Sequence, residues 1–593
     1  AGFGDRDIAR LVGVAEGAIA RRRVVMGLRP GYSMVDTCAA EFAAETPYFY
    51  ATYAASDSPP EAGPVARPAA LVIGSGPVRI GQGIEFDYCA VQAADALRRQ
   101  GIAAVMVNSN PETVSTDFDA STRLYFEPLD AESVLEVIAA ESLGGEPPLP
   151  ALVAFGGQTP LGLAEALESV GVPMPGLDME IIERAEERSR FAALLDRLGI
   201  PQPEGGMAVS IEEALVVAER IGYPVLVRPS YVIGGLAIDT SYGPDDLARQ
   251  LAAAAIVSDD RPVRIDAYLE GMEVDVDAVS DGREVLIPGL IEHVEAAGVH
   301  SGDSIGVFPP QRLSAGDQDL IVTAMTRVAL AVGARGLVNA QFIVREDGVY
   351  LIEVNPRASR TVPFLSKVTG VPMVELATRV ALGASLEELG WSGGLREAPA
   401  FVAVKAPVFS TAKLIGVDPA LGPAMQSTGE VIGIHEDARV AMAKALLAAG
   451  TLPPAGGVVL LSVADRDKTT LSGLTAALEV AGYRFAATSG TAAALRALDH
   501  EVVEVGRLGE ESGPQTSMLD LLESPDLALI INTPSPSSGA VRDAAAIRHA
   551  AIAQGTLCLT NVDTALAAAQ AMQPDVRARV SEVQPLDVIT HQR

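Results

Sequence analysis

Short apolar runs alternate with alanine-rich stretches of helical period along much of this chain: ALVIG at 70–74, AAVMVNSN at 103–110 and PALVAFGG at 150–157. Continuous apolar runs of this length are buried on both faces, and joining them in parallel requires helical crossovers, so the pattern demands a parallel sheet covered by helices. The same alternation returns after TLPPAGG (451–457), in VVLLSV, YRFAATSG, LALIIN and TLCLTN, and predicts one more small doubly wound domain. Between these units, from about 181 to 400, hairpin signals such as VNAQFIVREDGVYLIEVNP (338–356) stand among helices and predict α+β lobes around a cleft. Residues 1–55 read as mostly helical, and SDSPPEAGPVARP (56–68) as a linker.

A chain of 593 residues holds about three to five domains. No apolar run approaches the roughly 18–20 residues that span a bilayer, so no membrane association is expected. The opening AGFGDRDIAR is charged and lacks the apolar core of a secretory signal, which predicts a cytoplasmic location. The absence of an initiating Met ahead of a helical pattern suggests a fragment or a processed polypeptide. Three scattered cysteines (Cys38, Cys89, Cys558) exclude a disulfide framework or a thiolate metal site. A net charge of −32 would repel a phosphate backbone, so nucleic acid is excluded as a partner, whereas a nucleotide needs only a few local cations.

The Gly-rich turn GSGPVRIGQG (74–83) follows a strand, but Arg79 falls where the third glycine of a dinucleotide fingerprint belongs. No Gly-Lys dipeptide occurs, which excludes a P-loop. The strongest local signal is the 338–356 hairpin, where Asn339, Gln341, Glu353 and Asn355 interrupt apolar strands. A three-residue loop Glu346-Asp347-Gly348 would place 341 opposite 353 and 339 opposite 355, all on one face, with Phe342, Val344, Tyr350, Ile352 and Val354 filling the other. A two-residue Asp-Gly loop would separate Gln341 from Glu353. Hard oxygen donors beside Arg357 and Arg360 suit Mg²⁺ bridging nucleotide phosphates. In YPVLVRPSYVIGGLA (223–237), Arg228 ends a strand before a Gly-Gly turn able to close over phosphates. HVEAAGVHSGDS (293–304) sets His300, Ser301, Asp303 and Ser304 in a Gly-containing loop, where His300 reads equally as a structural histidine.

Together these segments resemble the carbamoyl-phosphate synthetase large subunit, specifically its second half, over essentially the whole chain. YPVLVRPSYVIGGLA and LIEVNPRA resemble the two ATP-grasp signatures of that family. VDTCAAEF (35–42), GSGPVRIGQGIEFDY (74–88), NSNPETVSTDFD (108–119) and FGGQTPL (155–161) resemble its oligomerisation and pre-ATP-grasp segments. The resemblance implies a partial oligomerisation segment at 1–55, a linker at 56–68, a Rossmann-like pre-ATP-grasp domain at 69–180 and ATP-grasp lobes at 181–400. A connecting segment at 401–450 and a methylglyoxal-synthase-like allosteric domain at 451–593 would follow.

By the same resemblance, Arg228, Ala267, Leu269, Glu273, Gly298, Val299, His300, Ser301, Gln341 and Glu353 would hold ATP. Gln341, Glu353 and Asn355 would hold two Mg²⁺ or Mn²⁺ ions, with K⁺ a further candidate cofactor. Arg357 and Arg360, with Glu353 and Asn355, would act on the transferred phosphoryl group and carbamate. In the terminal unit, Lys468, Thr488, Thr491, Arg507, Asn532 and Thr533 would form an effector pocket for UMP or a related nucleotide; TSGT at a helix start also reads as a plain N-cap. Implied partners are the amino-terminal half, a glutaminase small subunit and a second copy of the large subunit. The implied activity is phosphorylation of carbamate to carbamoyl phosphate, serving pyrimidine and arginine synthesis. Three departures stand out: Leu236 where the family commonly carries Arg, a Pro-rich TPSPSSGAV (533–541), and Ala406 where ornithine-responsive members carry Glu.

Overall fold

The computed structural model describes all residues except 1–2, 40, 44, 54–60, 62, 81, 230–238, 255–262, 411–417, 507–516, 534–539 and 584–593. The first sheet has six strands, ordered Gly31–Met34, Tyr48–Thr52, Arg123–Phe126, Ala103–Asn108, Ala69–Ile73 and Ala151–Leu152. All five residues of AALVI (69–73) are buried, as a strand covered on both faces requires. Helices Glu85–Arg99 and Ala131–Glu141 cover it, and Asp130 caps the second by accepting from Ser133 N at 2.8 Å. The helical expectation for 1–55 holds only as far as Val25: Gly31–Met34 and Tyr48–Thr52 join the sheet, the latter parallel to Arg123–Phe126. YFYAT is an aromatic, β-branched run, and Phe49 packs against Tyr125 at 5.9 Å, so burial of its rings outweighs any local helical tendency.

A four-stranded antiparallel sheet, ordered Gly205–Ala208, Val263–Ala267, Val225–Pro229 and Asp239–Ser241, forms a small lobe with helices Ile211–Ile221 and Pro244–Ala254. It faces a nine-stranded sheet whose main path runs Gly348–Asn355, Gly336–Arg345, Met272–Ser280, Leu290–Ala296, Gly306–Phe308, Val402–Val408 and Gly429–His435. The segment 401–450 is therefore no separate connector. Its two strands extend this sheet, because VAVKAPV carries enough buried apolar surface to pair with Gly306–Phe308.

The last sheet is wholly parallel, ordered Val502–Val505, Tyr483–Thr488, Gly457–Ser462, Leu527–Asn532 and Cys558–Leu559. The chain winds one way from the central strand and then reverses, which puts a topological switch point beside Gly457–Ser462. One apolar cluster joins this domain to the large sheet through Val404, Ala441, Leu446, Leu474 and Ala568. The architecture is thus the predicted multidomain α/β fold. Among the described residues no helix is long and apolar enough to cross a membrane.

Candidate active site

The hairpin arranges the site by a route different from the one predicted. Arg345 pairs with Gly348, so the turn is the two-residue Glu346-Asp347, which alone would put Gln341 opposite Ile352. A bulge corrects this: Phe342 pairs with Leu351 and Gln341 with Glu353, leaving Ile352 as the extra residue. Asn339 then pairs with Asn355, as expected. The bulge also switches the parity of the outer strand, so Val349, Leu351 and Val354 are buried, whereas Tyr350 and Ile352 leave the core face to which the sequence assigned them. Ile352 lines a small cavity with Arg188, Phe191, Arg228 and Asp266.

Behind the hairpin lies a second polar row. MEVDVDAVS places Asp275 opposite Gln341 and Asp277 opposite Asn339, and these alternating acids form a recognisable pattern that the sequence analysis passed over. Asn355 Nδ2 donates to Glu353 Oε1 at 3.0 Å, Asn339 Nδ2 to Asp277 Oδ1 at 3.1 Å, and Gln341 Nε2 to Ser301 Oγ at 2.7 Å. Arg357 donates to Asn355 Oδ1 at 3.3 Å and Gln158 Oε1 at 3.1 Å. Burial pushes the Glu353 carboxyl up, but Arg188, Arg228, Asn355 and Arg357 outweigh it and hold it below the usual range. Arg188, unmarked by any motif, comes within electrostatic reach of Glu353 only through the tertiary fold.

His293 is wholly buried and shares its Nε2 with Asp275 Oδ2 at 3.1 Å. Burial pushes Glu273 up to about 7 and Asp277 to about 6. Asp275 stays below its usual range despite burial, because His293 faces it. Arg360 is bound on several sides: to Glu85 Oε1 at 2.8 Å, Ser427 Oγ at 2.9 Å and the Gly302 carbonyl at 3.4 Å.

The remaining predicted residues surround this cleft. Arg228 lies 3.7 Å from Asp266, and Ala267 ends a strand whose last amide bonds Glu204 O at 2.8 Å. Leu269 follows Tyr268, whose hydroxyl donates to Ala297 O at 2.8 Å. Gly298 has φ +110°, and a Cβ there would sit 2.6 Å from the Tyr268 hydroxyl oxygen, so only glycine lets this loop meet the small lobe. Val299 is buried, and His300 Nδ1 accepts from Gly302 N at 3.0 Å, leaving Nε2 to carry the proton of the neutral ring. The Gly-Gly turn and Leu236 lie outside the described residues.

Comparisons with known proteins match three family models to successive parts of the chain. The carbamoyl phosphate synthase preATP-grasp domain matches residues 66–184. The carbamoyl-phosphate synthase L chain ATP binding domain matches 187–389, and an MGS-like domain matches 471–560. The carbamoyl phosphate synthase large chain of Thermomicrobium roseum is 52% identical over 96% of this chain. The chain belongs to the carbamoyl phosphate synthase large-chain family. It spans about half of that relative's length, 53%. Solved structures with similar outlines include the biotin carboxylase–β,γ-ATP complex of Campylobacter jejuni (17% identity, TM-score 0.49, 63% of this chain and 89% of that one). Another is the biotin carboxylase domain of Hydrogenobacter thermophilus 2-oxoglutarate carboxylase (21% identity, TM-score 0.49, 64% and 89%).

In this family member the MGS-like domain collects its candidate residues at the carboxyl ends of its strands. Thr488 stands at the N-cap position of the helix Ser489–Ala497 without a side-chain capping bond, its hydroxyl donating instead to Ser462 Oγ at 3.4 Å. Thr491 Oγ1 accepts from Val463 N at 3.0 Å and Thr533 Oγ1 from Ala464 N at 2.8 Å, with Asn532 buried between them and the helix Ala540–Gln554. The Lys468 amine pairs with Asp465 at 2.6 Å near Gly490. Arg507 and most of TPSPSSGAV lie outside the described residues.

Proposed function

We propose that the central cleft binds ATP with Mg²⁺ and transfers its γ-phosphoryl group to carbamate, giving carbamoyl phosphate and ADP. The observation that carries this reading is the register-fixed pairing of Gln341 with Glu353 and Asn339 with Asn355, ringed by Arg188, Arg228 and Arg357. Gln341, Glu353 and Asn355 supply hard oxygens only, a donor set that fits Mg²⁺ or Mn²⁺. Among the described residues no group of three His, Cys, Asp or Glu side chains forms a metal cage, so one carboxylate and two amides would leave the remaining positions to phosphate oxygens and water. Such an ion, when bound, neutralises the charge of the phosphates.

The protein's own part is positioning and electrostatics. Arg188 and Arg228 meet the phosphates on the small-lobe side, and Ala267 and Leu269 offer backbone groups to the adenine. Glu273, Val299, His300 and Ser301 close the opposite wall beside Gly298. Arg357 and Arg360 face the phosphoryl group and carbamate, whose oxygen attacks phosphorus in line without a protein nucleophile. Carbamate decomposes in water, so closure of the small lobe must keep the cleft dry.

The same reading assigns 69–180 to the pre-ATP-grasp domain, 181–400 to the ATP-grasp domain and 451–593 to an allosteric domain taking UMP or a related nucleotide. A glutaminase small subunit, the amino-terminal half and a second large subunit are its partners, with pyrimidine and arginine synthesis consuming the product. The test is the reverse reaction: with Mg²⁺, ADP and carbamoyl phosphate this chain should form ATP. A chain that binds ADP but forms none overturns the reading.

A further inference from the structure

The segment Asp418–Ser427 runs from the terminal domain to the strand Gly429–His435 of the large sheet. Its first residue is clamped by Arg548, which is 4% exposed on the helix Ala540–Gln554. Arg548 Nε donates to Asp418 Oδ1 at 2.6 Å, Nη2 donates to the other carboxylate oxygen, and Nη1 donates to Asn532 Oδ1 at 2.8 Å. This last bond fixes the Asn532 amide, and among the described residues its buried Nδ2 has no partner. Leu421 N donates to Thr560 Oγ1 at 3.0 Å, a second tie to the terminal domain.

The other end of the segment grips the candidate active site. His300 N donates to Gly422 O at 2.8 Å. Gln426 N and Ser427 N both donate to the Asp303 carboxylate, at 2.7 and 2.8 Å. Ser427 Oγ accepts from Arg360 Nη1 at 2.9 Å and donates to Gly302 O at 2.9 Å. One ten-residue strap therefore connects Arg548 and Asn532 of the terminal domain to Arg360 and His300 through directed bonds at both ends.

We propose that the Arg548–Asp418 fork is the positioning element through which a nucleotide at Asn532 changes nucleotide affinity in the ATP-grasp cleft. The proposal rests on the reading of both sites given above. A ligand oxygen that takes the free Asn532 amide acts directly on the group Arg548 holds. A bidentate guanidinium–carboxylate pair tolerates little reorientation, so the change passes to Asp418 and the strap. Allosteric couplings of this kind typically change affinity by about 5-fold or more.

The experiment uses the full chain with UMP as probe. UMP affinity, ADP affinity with and without UMP, and amide hydrogen exchange at His300, Gln426 and Ser427 are measured for the parent, Asp418→Asn and Arg548→Lys. Asp418 is half-exposed and its amide is nearly isosteric, so Asp418→Asn keeps the test open where the buried Arg548 variant fails to fold. The expected result is that Asp418→Asn binds UMP within about 2-fold of the parent while the UMP effect on ADP affinity collapses toward 1. UMP-induced exchange changes at Gln426 and Ser427 disappear with it, and Asp418→Glu restores part of the coupling. Intact coupling in Asp418→Asn with intact UMP binding overturns the proposal. A parent that binds no UMP overturns it together with the effector reading, whereas loss of ATP formation without UMP speaks only against the phosphoryl-transfer reading.

Discussion

Glu353→Gln separates the chemistry from the fold. Gln has nearly the volume of Glu, and its carbonyl still accepts from Asn355 Nδ2, now 3.0 Å from Glu353 Oε1. What disappears is the negative charge that Arg188, Arg228 and Arg357 face in common. Those arginines keep other counter-charges, Asp266 at 3.7 Å from Arg228 and Glu186 near Arg357, so the folding cost should stay at about 1–2 kcal/mol. In turnover the loss is larger, because a preorganised charge at the transferring group is worth roughly 10²–10³ in kcat, or about 3–4 kcal/mol. The assay is ATP formation from carbamoyl phosphate at saturating ADP, with ADP affinity and thermal unfolding measured in parallel. A variant that turns over within about threefold of the parent would refute the role of Glu353, and one that unfolds with the loss of activity would refute the separation.

The parity switch at Ile352 predicts that Leu351→Ala costs about 2–5 kcal/mol in chemical denaturation while Tyr350→Ala costs under about 1 kcal/mol; the reverse order would restore a bulge-free hairpin. Glu273 gives a pH dependence. Its folded pKa, pushed up to about 7 by burial, lies above the ordinary carboxyl value of 4.5, so the native state binds the extra proton and stability falls as pH rises from 4.5 to 7, by on the order of 3 kcal/mol. His293, raised through Asp275 and Glu273 against the opposing effect of burial, adds to the same sign, since its stabilisation is present below its unfolded pKa and lost as pH rises. Unfolding midpoints across pH 5–8 should slope downward, and Glu273→Gln should flatten them. Gly156→Ala would set a Cβ 2.5 Å from the Gly74 carbonyl oxygen, so it should destabilise the first domain by about 1–3 kcal/mol, read as a lowered unfolding midpoint.

The parallel sheets were legible because their strands are apolar on both faces and need no distant information: ALVIG, VVLLSV and LALIIN announce themselves within five or six residues. The strand Tyr48–Thr52 was not, since its burial depends on Tyr125 and on its insertion between Gly31–Met34 and Arg123–Phe126, both distant from it in the local pattern. Likewise VAVKAPV could be seen as a strand but not assigned to the large sheet, because its partner Gly306–Phe308 lies about a hundred residues upstream.

The hairpin shows where local reasoning reaches its limit. The pairing of Gln341 with Glu353 follows from the demand that four oxygen-bearing side chains share a face, and that demand was met. The turn rule used to reach it was wrong in detail, because the chain satisfies two requirements at once: a tight Glu346-Asp347 turn, and burial of Val349 and Leu351 near it. Without an extra residue these would have turned Glu353 into the core. The bulge at Ile352 resolves the conflict, and it moves an isoleucine from the core into the cavity wall beside Arg228. Ile352, one of the two side chains that the sequence placed on the wrong face, is thus available to line the cavity beside Arg228, and the irregularity in the ladder is what allows a packed sheet to carry a polar site on its opposite face.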